Sequence, residues 1–74
     1  MPNLTAHRDA VALAEAARQA SLKSAATEAD RTAAHITYHK AVLASARANG
    51  VRCNSIAALA RHGVDPGDWR AGDV

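Results

Sequence analysis

The sequence predicts an all-α fold, a hairpin of two long alanine-rich helices followed by a short third helix, and three observations carry that prediction. Between Asn3 and Asn49 there is no Gly and no Pro, a run of about 45 residues without a breaker. Of the 20 alanines, 16 lie between Ala6 and Ala48, and Ala is the strongest helix former. The breakers gather instead at Asn49-Gly50 and from Gly63 to Gly67, and they enclose a short apolar-periodic segment.

The first helix is expected over residues 4–25. Pro2 and Asn3 mark its start, with Thr5 as a second candidate cap and Asp9 in the early turns. A single helix to residue 48 would be about 65–70 Å long, and a compact chain favours a hairpin. The break is placed between Ser24 and Asp30. Thr27 and Asp30 have capping-box spacing, and Ser21 and Ser24 weaken the helix just before it. The second helix is expected over residues 28–48. Its apolar face reads Ala29, Ala33, Ile36, Leu43 and Ala46, with Val42 beside them. The first helix offers a narrow stripe of Leu13, Ala14, Ala17 and Ala20, and an adjacent stripe of Leu4, Val11 and Leu22. Small residues let helix axes approach closely, so an Ala-lined hairpin is expected to pack closely while burying little area per residue. Arg47 followed by Asn49-Gly50 ends the second helix.

A short loop, Val51 to Cys53, leads to a third helix over residues 55–62. Asn54 or Ser55 is its expected cap, and Ile56, Leu59 and Ala60 form its apolar side. Gly63 ends it, and Val64 is placed for the contact that follows a Gly cap. Asp65-Pro66-Gly67-Asp68 is a turn signal. Trp69 is expected to fold back on the third helix, within a turn and tail over residues 63–74 whose last residues fray.

Composition narrows the class. The 74 residues suit one small domain, 1–74. Cys53 is alone, so no internal disulfide forms. No stretch reaches the roughly 20 apolar residues of a membrane span, and no signal-peptide run opens the chain. A reducing cytoplasm is the expected compartment. The large apolar side chains are few, and small cores without disulfide or metal are often marginal. Association is the common remedy, and a homodimer is expected.

The chemistry-bearing residues argue against an enzyme. His35 and His39 share a helix side, a spacing that can hold zinc, but the intervening Ile36, Thr37 and Tyr38 lack the catalytic Glu, and no third ligand is evident. Cys53 stands beside Arg52 and before a helix, yet no His–Asn or His–Asp pair can be assigned to it. There is no Gly-rich phosphate loop. No catalytic residue, metal or cofactor is expected.

Charge is more informative. Residues 1–30 carry Arg8, Arg18 and Lys23 against Asp9, Glu15, Glu28 and Asp30, a net −1. Residues 31–74 carry Arg31, Lys40, Arg47, Arg52, Arg61 and Arg70 against Asp65, Asp68 and Asp73, a net +3. The basic excess centres on the loop between the second and third helices. Trp, Tyr and Arg are enriched in binding hot spots. Tyr38, Arg47, Arg52, Arg61, Trp69 and Arg70 are therefore the expected contacts for a larger protein whose activity this chain would modulate. Small cofactor-free regulators of this kind are common among phage and mobile-element products, an analogy of class only.

The stretch Ser55-Ile56-Ala57-Ala58-Leu59-Ala60-Arg61-His62-Gly63-Val64 resembles the first helix and turn of a helix-turn-helix motif. The resemblance implies a second reading, a small dimeric nucleic-acid-binding regulator using Arg52, Asn54, Ser55, Arg61 and His62. The stretch is about a residue short before Gly63-Val64. The place of the recognition helix holds Asp65-Pro66-Gly67-Asp68-Trp69-Arg70, with two acids where phosphate would lie.

Overall fold

The computed structural model describes residues 2–65. It contains three helices, α1 (Leu4–Ser24), α2 (Glu28–Asn49) and α3 (Ser55–Arg61), in that order, and no strand among the described residues. The hairpin is formed, with its break where the capping box predicts it.

Local chemistry sets each boundary. Asn3 caps α1 by accepting the Ala6 N–H at 3.0 Å. The Asn3 N–H donates to the Asn49 carbonyl at 2.9 Å, which ties the start of α1 to the end of α2. At the other end, Ala25 leaves the helix in an extended conformation. Thr27 then caps α2. Its hydroxyl accepts the Asp30 N–H at 3.1 Å, and the Asp30 carboxylate accepts the Thr27 N–H at 3.3 Å and the Ala26 N–H at 3.1 Å. Three otherwise orphaned backbone donors at the hairpin turn are satisfied this way. Thr27→Ala is expected to destabilise the fold by about 1 kcal/mol, read as a lower midpoint in urea denaturation. Adding Asp30→Ala to it should cost less than the two single effects together, because both residues serve one box.

Gly50 closes α2 at φ +65°, a left-handed conformation that side chains with a Cβ rarely adopt. The Val51 N–H returns to the Ala46 carbonyl at 2.9 Å. Gly63, at φ +72°, closes α3 in the same manner, with the Val64 N–H donating to Leu59 at 2.9 Å. The Gly63 end is a Schellman arrangement, its own N–H donating to the Ala60 carbonyl at 3.0 Å, and Val64 packs on the core as its position predicts.

The core is small and sits where α2 meets α3. Leu43, Ala46 and Leu59 form its buried centre, with Ile36, Cys53, Ile56 and Val64 packed around it. Ala34 and Val42 are also buried on α2, whereas α1 has no buried residue at all. The Cα atoms span 41 × 25 × 13 Å, so the hairpin is thin and most helix faces meet solvent.

Two expected faces are corrected. On α1, Leu13 is 75% exposed, and Ala17 and Ala20 are exposed with it. Ala14 and Ala17 of that stripe do line the cleft facing Ala34, Thr37, Tyr38 and Ala41 of α2, and His7, Val11, Arg18 and Leu22 are half-buried beside it. The two stripes are similarly apolar. The second brings the larger Val11 and Leu22 and the Arg18 stem against α2 at i, i+3 and i+4 spacing. Leu4, expected beside them, is 52% exposed. On α2, Ala34 is buried in place of Ala33 and Ala29, which are exposed. The helix must serve α1 along one side and α3 along another, so its buried face is wider than one stripe.

Candidate functional site at the junction of α2 and α3

Two histidine–serine hydrogen bonds link α2 to its neighbours. His7 Nδ1 lies 2.9 Å from Ser45 Oγ, across α1 and α2. The Asn49 amide donates to the Ser45 carbonyl at 2.9 Å and buttresses that pair. His39 Nδ1 lies 3.2 Å from Ser55 Oγ, across α2 and α3. Ser55 is the only buried polar residue among the described residues. Asn54 stands at the N-cap position of α3 but makes no side-chain capping bond. Ser55 is thus the first residue of α3, and its hydroxyl reaches across to α2 and not back along its own helix.

This second pair lies in an open groove of about 430 Å³. Tyr38, His39 and Val42 contribute from α2; Cys53, Asn54, Ser55, Ala58 and Arg61 contribute from the loop and α3. Arg61 is the only formally charged residue of that lining, and no acid shares it. Val42, Cys53 and Ala58 supply apolar surface.

Tyr38 is held from two sides. The Arg18 guanidinium of α1 stacks over its ring, 3.8 Å from the centroid. The His39 ring meets it edge-on at 5.1 Å. Arg18 also pairs with Glu15, and its Nε is buried without a hydrogen-bond partner. A partly desolvated Arg over a Tyr face is worth about 1–2 kcal/mol.

His39 is the electrostatic centre of this end. Burial holds its pKa below the ordinary histidine value, and the positive charges of Arg18, His62, His35 and Arg61 push the same way. The sign follows from linkage. Above the unfolded histidine value of about 6.5, His39 is neutral in both states, and its packing contribution is complete. As pH falls below that value the unfolded chain takes the proton first, and stability drops until the folded pKa is passed. The melting temperature is therefore expected to fall as pH drops through about 6.5, with a shallower fall in His39→Gln. An equal slope in that variant would remove His39 as the cause.

Among the sequence-predicted contacts, Tyr38, Asn54, Ser55 and Arg61 come together in this groove. Arg52 lies exposed in the adjoining loop and His62 at the end of α3. Arg47 lies exposed in the last turn of α2. Trp69 and Arg70 lie outside the described residues, as does the Pro66–Arg70 stretch of the helix-turn-helix comparison. His39, Val42, Ala58 and Arg18 were absent from the expected site. Only the His35–His39 spacing drew attention to any of them. No sequence signal connects Arg18 to Tyr38, 20 positions away on another helix. Among the described residues no three His, Cys, Asp or Glu side chains gather as metal ligands would. No helix among them is long and apolar enough to cross a membrane.

Comparison of the chain with protein-family models, with curated proteins and with solved structures finds no match.

Proposed function

We propose that this protein is a small non-enzymatic interaction protein that binds a larger protein partner and modulates its activity. The observation that carries this reading is the groove where α2, the 51–54 loop and α3 meet. Tyr38 and Arg61, two residue types enriched in hot spots, converge there beside Asn54 and Ser55. Its volume lies within the range of small binding clefts, and it is open enough to accept part of another chain. The free thiol of Cys53 fits a reducing cytoplasm. A homodimer is part of the proposal. Among the described residues the buried apolar side chains are Ala34, Val42, Leu43, Ala46 and Leu59, three of them alanine or valine, and association supplements a core of such small side chains.

A second reading, nucleic-acid binding, draws support from the exposure of Arg52, Arg61 and His62 at one end of the fold. One paired experiment separates the two. Immobilised protein is used to capture partners from lysate, identified by mass spectrometry, beside a gel shift with DNA and RNA. The protein reading expects a specific capture and no gel shift at low salt; loss of that capture in Arg61→Ala, with its melting temperature unchanged, would assign it to the groove. A shift that weakens steeply with salt and disappears in Arg52→Ala/Arg61→Ala would establish the nucleic-acid reading instead. Sedimentation as a stable monomer at micromolar concentration would remove the dimer.

A further inference from the structure

We propose that the groove between α2 and α3 binds a carboxylate side chain of an acidic, aliphatic-flanked segment of a partner protein, with Arg61 as its charge partner. This rests on the protein-interaction reading and names the chemistry that the partner must present.

Arg61 is the formally charged residue of the lining, and no Asp or Glu shares the groove with it. Arg18 lies behind Tyr38 and is paired with Glu15, so Arg61 carries the charge available to a ligand. His35 and His62 stand close enough to act on His39. An anionic group is therefore the complement. Val42 and Ala58 give the groove an apolar side, suited to the methylenes of a Glu or to a neighbouring Leu. Asn54, whose carboxamide makes no capping bond, and Tyr38 also line the groove, and each carries a side-chain donor.

The same features disfavour a nucleic-acid strand. Single strands are held by aromatic faces on which bases stack. One face of Tyr38 is covered by the Arg18 guanidinium at 3.8 Å, and His39 stands edge-on to the ring at 5.1 Å. The second aromatic of the chain, Trp69, lies outside the described residues. A phosphodiester backbone would also leave the apolar floor unused.

The test is an NMR titration of the full-length, isotope-labelled chain with three probes. They are a blocked Leu-Glu-Leu-Glu-Leu peptide, its Leu-Gln-Leu-Gln-Leu counterpart, and a short oligothymidylate. The Glu peptide is expected to shift the amide signals of Val42, Ser55 and Arg61, with the other two probes much weaker. Arg61→Gln should weaken the Glu peptide about tenfold, the loss of one charge-assisted contact. Arg8→Gln, exposed near the start of α1, should leave it unchanged. Equal binding of the Glu and Gln peptides, or an Arg61→Gln variant that binds as well as the parent, would overturn the assignment. So would an oligothymidylate that shifts these signals while the Glu peptide does not, and that result would also favour the nucleic-acid reading. A captured protein partner that Arg61→Gln still binds would remove the groove but leave the interaction reading standing.

Discussion

Leu59→Ala is expected to destabilise the protein by about 2–5 kcal/mol, the largest effect of any single truncation in the fold. Leu59 is 1% exposed and is the one large side chain fully buried among the described residues. It joins α3 to Leu43 and Ala46 of α2, with Ile56, Val64 and Cys53 around it. Removing its three outer carbons leaves a cavity that the seven-residue α3 cannot close without giving up its other contacts. A domain of this size has only a few kcal/mol of stability to lose. The variant should therefore show a large drop in urea midpoint, with loss of amide protection in α3. Leu13→Ala is the control. Leu13 is 75% exposed, and its truncation should stay within about 0.5 kcal/mol. A Leu59→Ala effect no larger than that of Leu13→Ala would overturn the placement of the core.

Ala46→Leu should be the second most damaging change, for the opposite reason. Ala46 is 0% exposed and lies in the same buried cluster. Leu is nearly as good a helix former as Ala, so helix propensity does not set the outcome. The added carbons must push α3 away from α2 or displace Leu43 and Leu59. Overpacking of this kind costs about 1–3 kcal/mol. Ala44→Leu, two positions away on an exposed side of α2, should be close to neutral. Near-neutral behaviour of Ala46→Leu in thermal denaturation would show that α3 is not held against this position.

Both predictions bear on the proposed site, because α3 and its N-cap bring Ser55, Arg61 and Asn54 to the groove beside α2. A loosened α3 separates Ser55 from His39 and opens the groove. Binding lost in Leu59→Ala would therefore say little about contact, whereas binding lost in Arg61→Gln without a change in melting temperature would identify a contact residue.

The elements were legible in the sequence because their signals are local. Asn3, the Thr27/Asp30 box, Gly50 and Gly63 each act on backbone groups within a few residues, and each acts there in the fold. The faces were less legible. Leu13-Ala17-Ala20 and Val11-Arg18-Leu22 are both regular helical stripes, and an alanine-rich helix gives little contrast between them. Shape decided between them when α1 met α2. The candidate groove was half visible. Tyr38 and Arg61 stood out by residue type, and Asn54 and Ser55 by capping position. His39 and Arg18 did not, since their roles depend on a serine and a tyrosine brought in from other helices.

Sequence alone determined that this chain is helical, where its helices begin and end, and that its basic excess lies after residue 30, because propensity, capping and charge are properties of neighbouring residues. Only the tertiary structure decided that α1 turns Leu13 to solvent, that Leu59 anchors the core, and that His39 and Ser55 join to line one groove with Arg61. Those outcomes depend on how helices of nearly uniform, small side chains fit together, and packing between distant residues leaves no periodic trace in the chain.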